Sequence, residues 1–292
     1  MAAAASQPFH DGWVWFDGVM VPQRDAKVHV LSHALHYASS VFEGERAYNG
    51  AIFRGHDHSQ RLIKSGKLLG FEVPASADQI DQAKQDVIQK MGLENCYIRT
   101  LSWRGSEQLG VSCKGNTIHL AVAAWTWGDY YADKMKGIRM MIAPWRRPAP
   151  DTAPSNSKAA GLYMICTLSK HAAEDCGFED ALMMDWRGQI AEATSANIFF
   201  VRDGVLHTPL ADCFLNGFTR QTTMALARKR GIEVQERAIW PNELGTFSEV
   251  FLTGSAAELT PVREIAGMQF KPGPMTEMLI GDYSAMARRA NV

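Results

Sequence analysis

Short apolar runs closed by tight-turn dipeptides constrain this chain more than any other feature. In V-W-F-D-G-V-M-V, Asp17-Gly18 supplies the positive φ angles of a two-residue turn, so its flanks predict a hairpin. Asp203-Gly204 plays the same part between Asn197–Arg202 and Val205–His207, as does Trp186-Arg187-Gly188 between Ala181–Asp185 and Gln189–Ala193. Further strand-like runs are Tyr97–Trp103, Thr117–Trp125, Ile138–Ala143 and Glu249–Thr253. Apolar residues at helical spacing predict helices over His56–Leu69, Ala77–Met91 and Thr219–Arg230, the last ended by Gly231. Local hairpins among mixed strands and helices predict an α+β fold with mostly antiparallel pairing, in preference to a doubly wound parallel sheet.

A chain of 292 residues accommodates one large domain or two of about 150 residues. With 46% hydrophobic and 21% charged residues it can bury a substantial core. The polar, aromatic stretch Trp125–Gly137 reads as an inter-domain connection, which predicts domains at 1–125 and 138–292 joined by a loop at 126–137. Trp145–Ser157 carries three prolines and is expected to be irregular, delivering Lys158 to the start of a helix that runs to Gly177.

A formal net charge of -1 and a pI near 6.8 argue against a nucleic-acid or membrane-surface partner. The start, MAAAASQPFHDGW, lacks the basic and apolar regions of a signal peptide, and no apolar run approaches the roughly 18 residues of a membrane span. The five cysteines are scattered without a C-x-x-C, so they are expected to be reduced and the protein cytoplasmic. Cys166 and Cys176 lie too far apart on one helix to bridge. His29, His33, His36, His56 and His58 match no metal-ligand spacing, and no metal is expected.

Two segments place small residues and hydroxyls at a predicted strand-to-helix junction: Leu215–Arg220 and Thr253–Glu258. Free backbone N–H groups at a helix start favour a phosphate or carboxylate, although each junction alone also reads as an ordinary cap. Lys158 sits in S-N-S-K-A-A-G-L-Y, whose small residues leave room for a planar ligand and whose Tyr163 can hydrogen-bond the amine. Taken alone it also reads as a solvated lysine. Partial burial would lower its pKa into the range nucleophilic chemistry needs. Glu192, mid-strand in Q-I-A-E-A-T-S-A-N, is either an exposed strand position or a carboxylate able to keep a pyridine nitrogen protonated.

Taken in order, S-H-A-L-H-Y-A-S-S-V-F-E-G, H-S-Q-R-L, Y-I-R, the Lys158 and Glu192 segments, L-N-G-F-T-R and T-G-S-A-A-E-L-T-P-V resemble the class IV aminotransferases. Within these fold-type IV pyridoxal-phosphate enzymes, the match is to the branched-chain amino-acid aminotransferases, and it spans Trp15 to about Val262. The resemblance implies a small N-terminal α/β domain and a larger mixed-sheet domain carrying Lys158, with pyridoxal 5'-phosphate as cofactor. It assigns Lys158 to holding the cofactor and moving the proton, Glu192 to the pyridine nitrogen and Tyr163 to the phenolic oxygen. Arg61, Ser255 and the amides of Phe218 and Thr219 would hold the phosphate, with Leu215 packed against the ring. Tyr37, Phe42, Tyr97, Trp127, Tyr130 and Tyr163 would form the substrate pocket. There Arg99 would receive the side-chain carboxylate of glutamate, and the amides of Ala256 and Ala257 the α-carboxylate.

The implied reaction is a ping-pong transfer from leucine, isoleucine or valine to 2-oxoglutarate. Leu109-Gly110-Val111 matches a loop that covers a partner subunit's site, which implies a homodimer or higher homo-oligomer. Three positions depart from the family pattern: Thr100 where proline is frequent, Phe218 where isoleucine is usual, and Asn216 before the glycine. Phe218 is expected to act mainly through its backbone, while its bulk is a candidate for altering acceptance of large substrates. The rival readings are a D-amino-acid or (R)-amine transaminase, a 4-amino-4-deoxychorismate lyase of the same fold, and a non-catalytic ligand-binding protein.

Overall fold

The computed structural model describes residues 11–128 and 134–289. Six strands form the first sheet: β1 (Trp13–Phe16), β2 (Val19–Pro22), β3 (Ser40–Tyr48), β4 (Ala51–Ile52), β5 (Cys96–Arg104) and β6 (Ile118–Thr126). Their order is β2-β1-β6-β5-β3-β4, and every pairing is antiparallel. Asp17 and Gly18 take φ of 48° and 97°, which is why the β1–β2 hairpin closes in two residues. A short helix, α1 (His33–Tyr37), precedes β3.

Two helices, α2 (Gly55–Leu68) and α3 (Ala77–Met91), cover one face of this sheet. Ala83, Val87 and Ile88 of α3 pack on Cys96, Ile98, Val122 and Ala124. Ser76 caps α3 by accepting from the Gln79 amide at 3.2 Å, while Gln79 Oε1 accepts from the Ser76 amide at 2.8 Å.

The second sheet has nine strands among the described residues: β7 (Ile138–Ile142), β8 (Asp180–Met184), β9 (Ile190–Ala193), β10 (Asn197–Arg202), β11 (Val205–Pro209), β12 (Val234–Arg237), β13 (Glu249–Gly254), β14 (Glu258–Ile265) and β15 (Met268–Gln269). The hairpins β8–β9, β10–β11 and β13–β14 pair antiparallel, whereas β11–β12, β7–β14 and β7–β8 are parallel. Every residue of Asn197–Val201 is buried, because β10 is covered on both faces. Ile198 and Phe200 face one cluster with Leu182, Val250 and Val262. Phe199 and Val201 face the other, with Met224 of α5 (Phe218–Lys229) and Leu279 and Tyr283 of α6 (Pro274–Arg288). Tyr48 of the first sheet joins that second cluster, and its hydroxyl donates to Glu258 at 2.8 Å.

Two expectations change. Thr253–Glu258 is a turn between β13 and β14, with Gly254 paired to Glu258, and not the start of a helix. Ala-Ala-Glu favours helix locally, but the Thr-Pro-Val run that follows pairs along β13 and wins. The segment after Lys158 begins as a 3-10 turn, Ala160–Tyr163, and becomes α4 (Met164–Asp175) only afterwards; Gly177 then takes the left-handed φ of 78°. Trp145–Ser157 holds no helix or named strand, as its prolines require. Among the described residues, no helix is long and apolar enough to cross a membrane.

Candidate active site

Strand periodicity builds one wall of a cavity of about 350 Å³ between the two sheets. On β3, Phe42 and Gly44 share a face, and on β5 Tyr97 and Arg99 share the same one, through the pairs Arg99 with Gly44 and Leu101 with Phe42. All four line the cavity. A Cβ on Gly44 would lie 1.9 Å from the Tyr97 hydroxyl, so only glycine admits the phenol there. Tyr97 packs in turn at a tilt against Trp125 and Trp127, at centroid distances of 5.3 and 4.9 Å. Arg99 stands over the rings of Phe42 and Tyr97, at 4.7 and 5.6 Å.

The opposite face of β3 turns Glu43 and Glu45 toward α2 and α3, both fully buried. Glu43 accepts from Arg61 Nε and Nη2 at 2.7 Å each and bonds His58 Nδ1 at 2.7 Å. Burial alone raises the proton affinity of Glu43, but Arg61 and His58 together pull it well below the ordinary carboxylate range. Glu45 pairs with Lys84 at 2.7 Å and accepts from the Thr100 hydroxyl at 3.3 Å. Thr100 thus has a physical reason: a central strand paired on both sides keeps its N–H, and the hydroxyl helps satisfy a buried carboxylate.

Lys158 is fastened by its backbone to the first sheet and helices. Its amide donates to Ser65 Oγ at 3.0 Å, and its carbonyl accepts from the Phe42 amide at 3.1 Å. Its Nζ donates to the Tyr163 hydroxyl at 2.7 Å and lies 4.9 Å above the Phe42 ring. Burial lowers the Lys158 pKa to about 8 against the partial opposition of Glu43. Burial also raises the Tyr163 phenol, keeping it protonated.

The second sheet contributes a buried carboxylate. Glu192 on β9 is pushed up to about 7 by burial, while Arg147 pulls the other way from 3.5 Å. Asn197 at the head of β10 donates to Glu192 at 3.1 Å and to the Leu215 carbonyl at 3.0 Å. It also accepts from the Gly217 amide at 3.1 Å. Gly217 precedes α5, and no side chain caps that helix, so its first amides, at Phe218 and Thr219, stand at the cavity wall.

Arg99 Nε, Arg147 Nε and Thr253 Oγ1 are buried without a hydrogen-bond partner among the described residues, and all three residues line this cavity. A cavity with an amine, a carboxylate, cations and uncapped helix amides suits a small aromatic anion carrying a carbonyl.

The class IV amino-transferase family matches residues 40–265 of the chain. The chain belongs to the class IV aminotransferases. A probable branched-chain-amino-acid aminotransferase of Rickettsia conorii is 42% identical over 252 residues, covering 86% of each chain. The branched-chain aminotransferase of Thermoproteus uzoniensis, solved with norvaline, superposes at a TM-score of 0.91 with 35% identity over 96% of both chains. The branched-chain amino acid aminotransferase of Escherichia coli superposes at 0.91 with 39% identity over 94% of both chains.

Of the residues expected at the site of this aminotransferase, the fold brings Phe42, Arg61, Tyr97, Arg99, Lys158, Tyr163, Glu192, Leu215, Phe218, Thr219, Ser255 and Ala256 to one cavity. Trp127 stands behind Tyr97. Ala257 is buried in the hydrophobic cluster beneath β14 and does not line the cavity. Tyr37 is exposed and stacks on His33 at 4.5 Å, away from the lining residues. Tyr130 lies outside the described residues. Sequence reasoning missed Arg147, Asn197 and Glu43. Arg147 sat in a proline-rich loop and Asn197 beside a strand, and neither type in that setting signals a buried role. Glu43 could have been found from the alternation Val41, Glu43, Glu45, Ala47, which puts two acids on one strand face between apolar residues.

Cys166 also lines the cavity, and burial raises its thiol to about 11, which disfavours the nucleophilic thiolate. Of the other histidines, His33 bonds Ser39 at 2.7 Å and Gly110 at 2.9 Å, and His56 bonds Asp81 at 2.7 Å.

Proposed function

We propose that this class IV aminotransferase moves the amino group of leucine, isoleucine or valine to 2-oxoglutarate, with pyridoxal 5'-phosphate held at Lys158. The observation that carries the substrate reading is Arg99 framed by Phe42 and Tyr97 in the cavity that holds Lys158. Aromatic walls suit an isobutyl group, and the guanidinium suits the distal carboxylate of glutamate. Both solved relatives are branched-chain enzymes, which supports the same choice.

Pyridoxal phosphate bound here supplies an electron sink for the negative charge that develops at the substrate Cα. The uncapped amides of Phe218 and Thr219, with Arg61 and Ser255, would hold its phosphate, and Leu215 would pack against its ring. Glu192 would pair with its ring nitrogen, and Tyr163 with its phenolic oxygen. With that group bound, Lys158 Nζ would take up the proton from the substrate Cα, and a pKa near 8 suits an amine that must both accept and release it. The amides of Ala256 and Ala257, in the β13–β14 turn, would take the α-carboxylate, and the Ala257 side chain packs in the cluster beneath β14. Trp127, against Tyr97, backs the outer wall.

The same reading takes 1–125 and 138–292 as two domains, supported by the separation of their strands into two sheets. It also takes the protein as at least a homodimer. Val30, Leu31, Leu35, Tyr37, Leu109 and Val111 are exposed, and the His33–Gly110 hydrogen bond joins the two segments that carry them. Unpaired cysteines, most of them buried, support a cytoplasmic location.

The test is a donor panel with 2-oxoglutarate: leucine, isoleucine, valine, D-alanine and (R)-1-phenylethylamine. Branched-chain donors are expected to react fastest; faster turnover of D-alanine or the amine overturns the substrate reading. Loss of the visible cofactor band in Lys158→Ala is expected, and its persistence would remove Lys158 from its role.

A further inference from the structure

The Phe218 ring meets three side chains of the α2 segment. The guanidinium carbons of Arg54 and Arg61 lie 4.5 and 4.2 Å from its centre, and His58 meets it edge-on at 4.6 Å. Arg54 also reaches α5 directly, donating to the Phe218 carbonyl at 3.4 Å and to Gln221 Oε1 at 3.3 Å. The ring therefore sits where the helix of the first sheet meets the first turn of α5.

Arg61 is planar, and Glu43 takes two of its N–H groups, Nε and Nη2, in a fork. The Phe218 ring, over which the Arg61 guanidinium carbon lies, restricts how that fork can turn. A branched aliphatic side chain would fill the space but would lack the negative face that attracts the cation.

We propose that Phe218 is a positioning residue for Arg61, stacking its guanidinium toward the cavity so that grip on the cofactor phosphate depends on the α2–α5 contact. This rests on the reading above that Arg61 binds that phosphate. The ring thereby serves the anion site.

The test is the equilibrium affinity of the cofactor-free protein for pyridoxal 5'-phosphate and for pyridoxal, read from the visible band of the lysine-bound form. Phe218→Ile and Phe218→Leu are expected to weaken pyridoxal phosphate by about 5- to 30-fold while leaving pyridoxal within about 2-fold. Phe218→Tyr keeps the ring and is expected to restore the wild-type ratio. In an Arg61→Met background, Phe218→Leu should add nothing further. Equal weakening of both ligands by the aliphatic variants, or an unchanged ratio, overturns the positioning role. If Arg61→Met itself leaves the ratio unchanged, the phosphate reading of Arg61 fails first, and the proposal with it.

Discussion

Arg147 Nε lies 3.5 Å from Glu192 Oε1, although one comes from an irregular proline-rich loop and the other from strand β9. The loop is held by its backbone, where the Arg147 amide donates to the Met184 carbonyl at 2.8 Å and Arg147 bridges to Asp185. The cation is buried, and its charge offsets part of the burial that raises Glu192 to about 7.

Arg147→Met should therefore raise the proton affinity of Glu192 and leave it neutral at pH 7. A carboxylate that must be ionised to pair with a ring nitrogen then works only at higher pH. The acid limb of the kcat/KM profile is expected to move upward by about 1–3 pH units, with Arg147→Lys moving it less. A profile that stays in place removes Arg147 from this role.

Lys158 makes a pH-dependent contribution to stability in the cofactor-free protein. Its pKa is about 8 folded against 10.5 unfolded, so between those values the unfolded chain binds more protons. Stability consequently rises with pH across that window, and the full cost of the buried cation is present below pH 8. Lys158→Met should be more stable than wild type at pH 7.5, by up to about 3 kcal/mol, and lose most of that margin by pH 10.5. Urea unfolding at the two pH values measures it.

Gly44→Ala places a methyl group 1.9 Å from the Tyr97 hydroxyl. Packing against Trp125 and Trp127 resists displacement of that ring, so the variant is expected to lose about 1–3 kcal/mol of stability. KM for branched-chain donors should rise as well. Tyr97→Phe in the same background removes the nearest atom and should recover part of the stability, measured by thermal denaturation.

Ser76→Ala removes the hydroxyl that accepts from the Gln79 amide in the α3 capping box, far from the cavity. It is expected to cost about 1 kcal/mol, which for a chain of this size lowers Tm by roughly 2–4 °C. Cofactor affinity should not change, which makes this variant a control for the others.

The hairpins, the two long helices of the first half and α5 were legible because each depends on neighbours in sequence: a positive-φ dipeptide, an apolar stripe, a terminal glycine. Thr253–Glu258 failed because its turn puts the positive φ, 52°, on Glu258, a residue type that does not announce a hairpin, while Ala-Ala-Glu reads locally as helix. Lys158, Glu192 and Tyr163 could be singled out by their small-residue surroundings and their order along the chain.

The sequence alone thus determined which residue types were available and which local elements would carry them. Tertiary structure decided what those residues became. The affinity of Glu192 for a proton is set by burial, by Arg147 and by Lys158, and the orientation of Arg61 by Glu43 and Phe218. A charge responds to groups within about 4–6 Å, and at this site those groups arrive from separate loops, strands and helices that only the folded chain brings together.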